Sequence, residues 1–367
     1  MSYQVTVEPT GEMIEVDDGQ TILDAALRQG VWLPFACGHG TCGTCKVQVL
    51  SGFADVGNAS SFALMDVERD EGKVLACCCK PESDMTIEAD VDVDADFLGY
   101  PVEDYRATVA AIETLSPTIR GIAFKLDRPM RFQAGQYINL HIPGVEGTRA
   151  FSIANPPSCA DPSCADPSCA DPSCADKVLL HVRKVAGGAA TGWLHEQLQV
   201  GDVLDLSGPY GQFFVRKSDS QDVIFIAGGS GLSSPEAMIL DLLETGDGRQ
   251  IYLFQGARNL AELYHRERFE SLAAQHTNFH YIPALNDVLP EDAWQGFSGF
   301  VHEAVIQHFN HRCSGHKAYL CGPPPMIDAA VTALMQSRLF ERDIHMERFV
   351  TAADGAAASR SALFKKI

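Results

Sequence analysis

The chain of 367 residues is 46% apolar and 21% charged, an ordinary globular balance with length for two to three domains, which excludes disordered and fibrous classes. Its 28 Lys/Arg against 48 Asp/Glu give a net charge of -20, so a surface for nucleic acid or an anionic membrane would have to be built against the overall field. No run approaches the roughly 18 consecutive apolar residues of a membrane span, and Met1 to Pro9 lacks the basic start and apolar run of a signal peptide; a cytoplasmic protein with neither nucleic-acid nor membrane partner is the expectation.

Taken in chain order, residues 1 to 96 hold 18 Asp/Glu against 5 Lys/Arg, a net of -13, and read as a separate acidic unit. Solubility explains such a charge, and so does steering toward a basic docking surface, an attraction that salt screens. Alternation of Val5, Val7, Ile14 and Val16 around Thr10-Gly11 predicts a hairpin, followed by a helix capped at Thr21 and ended by Gly30. Beyond a cysteine-rich loop, strands are expected near Lys73 to Cys78 and Met85 to Glu88, and the acidic run Asp90 to Asp96 leads to Pro101 as a linker.

Six of the twelve cysteines lie in this unit. Cys37-Gly38-His39-Gly40-Thr41-Cys42-Gly43-Thr44-Cys45, with Cys77 after 31 intervening residues, has the plant-type spacing of a 2Fe-2S cluster. Two ferric ions need four thiolates; closely spaced cysteines on one loop aim sulfur inward, while the glycines permit unusual backbone angles and amide hydrogen bonds to sulfur. Iron, sulfide and thiolate charges leave the oxidised site negative, so reduction in acidic surroundings is hard and a potential on the order of -400 mV follows. A zinc site built from Cys42, Cys45 and two of Cys77 to Cys79 is the competing reading, and it leaves Cys37 without a role. A Rieske centre lacks its second histidine-bearing half, which makes His39 structural. Spacing does not decide among Cys77, Cys78 and Cys79, because strand neighbours point to opposite faces; the two that do not ligate are expected to be buried thiols.

From 102 onward, strand-like runs at Gly121 to Leu126, Gln136 to Ile142, Thr148 to Ala154, Val178 to Val182 and Val203 to Ser207 predict a small barrel. Between the third and fourth lies a tract of period five, four Ser-Cys-Ala-Asp units from Ser158 to Asp176 joined by Pro162, Pro167 and Pro172. The prolines remove backbone donors and the small residues offer little to bury, so the tract is expected to be an exposed loop, grown by tandem duplication of 15 residues. Its four cysteines could bind a metal, but nothing fixes their geometry. Gly187-Gly188-Ala189-Ala190-Thr191 then opens a helix whose start suits phosphate, with Thr191 able to cap it, and Arg149 in Arg149-Ala150-Phe151-Ser152 can grip phosphate with two donors.

From Asp222 the strands Val223 to Ala227, Ile251 to Phe254 and Tyr319 to Leu320 alternate with helical stretches, the rhythm of a parallel α/β domain. The first strand runs into Gly228-Gly229-Ser230-Gly231-Leu232-Ser233-Ser234-Pro235 and then a helix, the strand, glycine turn, helix order of a nucleotide site, with Ser234 where a third glycine would stand. A second loop, Cys321-Gly322-Pro323-Pro324-Pro325-Met326, leaves another strand and begins another helix. Two such loops at strand C-terminal ends make a crevice for a dinucleotide.

On these residues the sequence resembles the ferredoxin-NADP reductase superfamily, in the branch with an N-terminal plant-type ferredoxin domain. Segments Leu33 to Lys46, Phe132 to Tyr137, Arg149 to Asn155, Gly208 to Phe214, Ile226 to Ser234, Cys321 to Ala330 and Glu347 to Gly355 are similar to the reductase components of multicomponent phenol hydroxylases; the likeness fails only in the repeat. It implies an α+β ferredoxin (β-grasp) domain at 1–95, a linker at 96–101, and an antiparallel β-barrel FAD-binding domain at 102–216 that carries the repeat loop 158–176. An α/β parallel-sheet NAD-binding domain at 217–352 and a C-terminal tail at 353–367 complete it. The resemblance makes Cys37, Cys42, Cys45 and Cys77 the cluster ligands, leaving Cys78 and Cys79 out. It assigns Arg149, Phe151 and Ser152 to FAD, with Ser152 near the reactive nitrogen, and Gly188 and Thr191 to a second phosphate contact. Gly229, Gly231, Leu232, Cys321, Gly322 and Pro323 match the nicotinamide dinucleotide loops; Cys321 and Glu347 resemble the pair lining the nicotinamide, and Phe349 stands where an aromatic covers the flavin.

The implied activity is transfer of electrons from NADH through FAD and the 2Fe-2S cluster to an oxygenase component, a diiron phenol hydroxylase. Another aromatic or alkane oxygenase as acceptor, or a non-enzymatic iron-sulfur redox sensor, are the alternatives. Electron counting supports the chain of cofactors, since NADH delivers two electrons at once and the cluster takes one. Arg258, placed after the strand ending near Gln255, could meet a 2'-phosphate and leaves coenzyme preference open. Lengthening a flexible connection costs about 0.6 kcal/mol per doubling, so a folded flavoprotein is expected despite the repeat.

Overall fold

Apolar residues at every second position build the first sheet. The computed structural model describes residues 1–91, 94–158 and 174–349, and the chain divides into two units, Met1–Glu103 and the chain from Asp104 onward. In the first, β1 (Ser2–Glu8) pairs antiparallel with β2 (Glu12–Asp17), setting Val5 opposite Ile14, and Val5, Val7, Ile14 and Val16 are all buried. Helix α1 (Ile22–Arg28) starts where Thr21 Oγ1 accepts the Asp24 N–H (3.3 Å) and stops before Gly30, as expected. There follow β3 (Lys46–Ser51), β4 (Ala54–Asp55), α2 (Asp66–Asp70), β5 (Lys73–Leu75), β6 (Lys80–Pro81) and β7 (Met85–Glu88). The sheet order is β2-β1-β7-β3-β5, with β7 parallel to β1 and antiparallel to β3, a mixed β-grasp sheet; β4 and β6 pair separately.

One expected strand is shorter than its pattern suggested. β5 ends at Leu75, and the N–H groups of Cys78 and Cys79 both donate to the Leu75 carbonyl (2.9 and 2.8 Å), so Ala76 to Cys78 form a turn. The three consecutive cysteines therefore do not alternate across a sheet.

The second unit opens with β8 (Glu103–Ser116) and β9 (Ile119–Arg131), then β10 (Tyr137–His141), β11 (Thr148–Ser152), β12 (Cys174–Arg183), α3 (Ala189–Glu196) and β13 (Val203–Tyr210). Their order is β11-β10-β13-β8-β9-β12, and a bridge between Ile153 and Leu180 joins the two ends into a barrel around Phe124, Ile138, Leu140, Ile153 and Leu180. The sequence reading found five of these strands and missed β8. The repeat was expected to be a loop through Asp176, but its last unit contributes Cys174 to Asp176 to β12, paired with the end of β9; residues 159–173 of the repeat lie outside the described residues.

The rest is a second sheet of strictly parallel strands: β14 (Asp222–Gly228), α4 (Ser233–Glu244), β15 (Ile251–Ala257), α5 (Arg266–Gln275), β16 (Phe279–Leu285), β17 (Phe297–Ser298), α6 (Val301–His308), β18 (His316–Gly322), α7 (Pro324–Gln336) and β19 (Ile344–Arg348). The order β17-β16-β15-β14-β18-β19 reverses direction at β14, which puts the C-terminal ends of β14 and β18 side by side, where a ligand crevice forms in such sheets. β14 is buried along nearly its whole length between two apolar clusters, consistent with its continuous Val-Ile-Phe-Ile run. The expected C-terminal tail at 353–367 lies outside the described residues. Among the described residues, no helix is long and apolar enough to cross a membrane.

Candidate functional site

The sulfur site is built by a loop that has no regular hydrogen-bonded structure of its own. Gly38, Gly40 and Gly43 all adopt positive φ (71°, 79° and 76°), a region that other residues resist. Space adds a second constraint: a Cβ at Gly40 would stand 2.6 Å from Cys78 Sγ, and one at Gly43 would stand 2.9 Å from the Ala63 carbonyl. So folded, the loop turns its amides toward sulfur, with Thr41 N donating to Cys37 Sγ (3.4 Å) and Cys37 N to Cys42 Sγ (3.5 Å). Burial pushes the Cys37 thiol up, but hydrogen bonds from Thr41, the His39 amide and Cys42 outweigh it and bring Cys37 down to about 6. Cys45 comes down to about 7 because Cys77 donates to it, while the same contact and burial push Cys77 up.

The four expected ligands thus meet two and two, Cys37 with Cys42 and Cys45 with Cys77, with amide donors on sulfur. That arrangement fits a two-iron, thiolate-held cluster. The turn after β5 presents Cys77 toward Cys45, which spacing alone could not decide. Cys79 is buried and pushed up to about 12 by that burial. Cys78 departs from expectation: it is half-buried, with its Sγ 3.7 Å from that of Cys77.

In the second unit, side chains from three elements converge on one carboxyl oxygen carried by a fourth, β19. Ser152 Oγ at the end of β11 donates to Glu347 Oε2 (3.1 Å), Ser234 Oγ at the start of α4 donates to the same atom (3.1 Å), and Cys321 Sγ on β18 lies 3.7 Å from it. Register between β18 and β19 sets Cys321 directly beside Glu347. Burial pushes the Glu347 carboxyl up despite its three donors, and pushes Cys321 well above the ordinary thiol range. All three residues singled out for hydride chemistry, Ser152, Cys321 and Glu347, are therefore in one group. Ser234 belongs with them and was missed, noticed only as an absent glycine.

The turn after β14 and the loop after β18, the two loops expected to hold the dinucleotide, touch. A Cβ at Gly231 would come 2.4 Å from the Cys321 carbonyl and 2.6 Å from Gly322 Cα, so only glycine lets the turn after β14 lie against the loop after β18. Leu232 is fully buried beneath that contact. Pro323 precedes α7 with Pro324 in its first turn, and Phe349 N donates to the Gly322 carbonyl (3.0 Å) while its ring packs on the cluster containing Cys321 and Leu232.

The expected phosphate contacts are less gathered. Arg149 is exposed, and its Nη1 donates to the Glu146 and Thr148 carbonyls (3.0 and 2.8 Å), while Phe151 packs half-buried against the barrel core. Helix α3 is capped by Gly188 and not by Thr191, which lies inside the first turn, where its Oγ1 accepts the Val185 N–H (3.1 Å). A Cβ at Gly188 would stand 2.8 Å from that Oγ1, so the approach to the helix start is open only with glycine there. An exposed guanidinium and a side-chain-free helix start fit phosphate.

Three family descriptions match the chain: 2Fe-2S iron-sulfur cluster binding domain over residues 5–82, oxidoreductase FAD-binding domain over 167–215, and oxidoreductase NAD-binding domain over 225–332. Among curated relatives, the phenol hydroxylase P5 protein of Acinetobacter pittii (strain PHEA-2) is 71% identical and the phenol 2-monooxygenase reductase component DmpP of Pseudomonas sp. (strain CF600) is 69% identical, each alignment covering 100% of both chains. Among solved structures, the Amycolatopsis cytochrome P450 reductase GcoB superposes with a TM-score of 0.82 at 35% identity, covering 95% of this chain and 99% of that one. The folds and the three family matches define the class, an iron-sulfur flavoprotein oxidoreductase that uses a nicotinamide dinucleotide. Within that class, the chain belongs to the family of phenol hydroxylase reductase components.

Proposed function

We propose that this protein takes electrons from NADH and delivers them singly, through FAD and a 2Fe-2S cluster, to the oxygenase component of a phenol hydroxylase in the cytoplasm. The observation that carries the reading is the convergence of Ser152 from the barrel with Ser234, Cys321 and Glu347 from the parallel-sheet domain on one oxygen atom. It brings the end of the flavin-type barrel to the mouth of the nucleotide crevice, where the two reacting rings have to meet. Bound FAD supplies the conversion of an electron pair into single electrons, and the cluster carries those onward.

The chain's own work is positioning. Arg149, Phe151, Gly188 and Thr191 would hold FAD, with Ser152 beside its reactive nitrogen. Gly229, Gly231, Leu232, Cys321, Gly322 and Pro323 would hold the dinucleotide, and Phe349 would cover the flavin until the nicotinamide arrives. Glu347 Oε2 orients the Ser152 and Ser234 hydroxyls and thereby joins the two domains at the reacting centre. Cys37, Cys42, Cys45 and Cys77 would ligate the cluster. Domain limits near 95, 102 and 216 separate these tasks along the chain.

The test is composition together with reconstitution. Purified protein should carry FAD and equal amounts of iron and acid-labile sulfide, and should support phenol turnover by the matching oxygenase only when NADH is present. Zinc in place of iron, or no turnover with a loaded reductase, overturns the reading.

A further inference from the structure

Beside the nucleotide turn lies a buried polar chain that the activity so far described does not use. Tyr264 donates from its hydroxyl to the Gly229 carbonyl (3.1 Å) and meets His181 Nδ1 at 3.2 Å on its other side. Gln255 Nε2 pins the Tyr264 carbonyl (3.0 Å), and Tyr281 pins Gln255 in turn (2.7 Å). His181 belongs to barrel strand β12, so this chain crosses from the barrel to the turn after β14.

Counting protons fixes the roles. A phenol has one proton; given to Gly229, it leaves the Tyr264 oxygen as acceptor for His181 Nδ1–H, so the buried His181 Nε2, which has no hydrogen-bond partner among the described residues, is a bare acceptor and not an orphaned N–H. Burial pushes His181 down to about 4, so the ring is neutral. His181, Glu236 and His265 stand close enough to suggest a metal site. Both Glu236 oxygens are already taken, however, by His265 (2.9 Å) and Arg268 (2.6 Å), which closes that cluster.

Gly229 is the point in the turn that needs holding. It sits at φ +58°, where a glycine peptide reorients at little cost. Its carbonyl and the Ser230 N–H belong to one trans peptide and point in opposite directions, so a hydroxyl that grips the first aims the second away from Tyr264. We propose that Tyr264 is a positioning residue for the dinucleotide: it locks the Gly229-Ser230 peptide so that the Ser230 N–H faces an anionic group of NADH, and His181 sets the Tyr264 hydroxyl from the barrel side. The proposal deepens, and rests on, the reading of Gly229 to Leu232 as the nucleotide turn.

Tyr264→Phe in the full-length, cofactor-loaded protein removes the grip alone. The expected result is a rise of about tenfold in the KM for NADH with kcat, FAD content and iron content as in wild type. Tyr319→Phe is the control: it deletes another buried tyrosine hydroxyl of the second unit, one on β18 that accepts the Arg216 N–H (2.9 Å), and should lower Tm without moving KM. A Tyr264→Phe protein that loses Tm as Tyr319→Phe does and keeps its KM overturns the proposal. Should Tyr264→Phe not fold, His181 carries the test: His181→Leu should raise KM several-fold and His181→Gln, which can still donate to Tyr264, should restore it, whereas equal KM in the two overturns the proposal. A wild-type protein that NADH does not reduce overturns the nucleotide reading itself, and that result is read before any variant.

Discussion

Nine consecutive residues, Cys37 to Cys45, supply three of the four proposed cluster ligands, whereas the carboxyl group at the crevice gathers Ser152, Ser234 and Cys321 from positions 195, 113 and 26 residues away. In the first region a loop with left-handed glycines makes the site almost by itself, and the sheet beneath need only hold the loop and the Cys77 turn. In the second, no short segment contains the site, and the barrel and parallel sheet must both fold before its parts meet. Local encoding makes a site that a single ligand change destroys without touching its neighbours. Dispersed encoding makes one that responds to packing changes at a distance.

The largest effect tests that contrast at its local end. Cys42→Ser should remove iron and sulfide and cut one-electron output, measured with cytochrome c, by more than about a hundredfold, since a cluster short of a thiolate is not held. FAD content and flavin bleaching by NADH should stay, because the second unit has its own core. Loss of FAD in the same variant would break the comparison.

Acid should act on the second unit next, through His181 beside Tyr264. His181 is pushed from the ordinary 6.5 down to about 4 by burial, with Glu236 favouring its proton and His265 and Arg268 opposing it. The unfolded chain therefore binds a proton between those values that the folded chain refuses, and stability falls as pH drops through that window, by up to about 3 kcal/mol. Thermal melts of the second unit's flavin signal from pH 7 to pH 4 should show this loss, and His181→Gln should flatten it.

Gly231→Ala sharpens the comparison at a single atom. The new methyl group would press on the Cys321 carbonyl at 2.4 Å, and separating the two loops should lower kcat/KM for NADH by about ten- to a hundredfold while the cluster remains loaded. An unchanged kcat/KM would mean that the loops need not touch.

How much could be read in advance follows the same division. The cysteine spacing, the Thr21 cap, the alternating hairpin and both glycine loops are local patterns, and the structure has them where the sequence suggested. β8 escaped because Ala107 is small and register shifts after Val109 and Thr114 break its alternation. β19 reads as polar, Ile-His-Met-Glu-Arg, because it is an edge strand covered on only part of its surface. Ser234 and Tyr264 were invisible as site residues since their partners stand 113, 83 and 35 residues away. The Thr191 cap was a one-turn misplacement, with Gly188 at the cap and the hydroxyl serving the preceding loop.

The smallest effect concerns the repeat. Deleting three of the four Ser-Cys-Ala-Asp units with their joining prolines, 15 residues, shortens a connection whose entropy grows only with the logarithm of its length, so stability should match the full chain to within about 1 kcal/mol, with FAD content and turnover unchanged. A large gain in any of these on deletion would assign the tract an active, damaging role.

The most direct test of the whole electron route is an anaerobic titration with NADH in which flavin and cluster absorbance are followed together. Three electrons fill one flavin and one cluster, so the flavin should bleach with the first equivalent of NADH, and the cluster, at its low potential, should bleach after it under excess NADH or a lower-potential donor, to three electrons per chain in all. Bleaching that stops at one equivalent with the cluster still oxidised, and stays there when a lower-potential donor is added, would contradict the proposed path from nucleotide to sulfur.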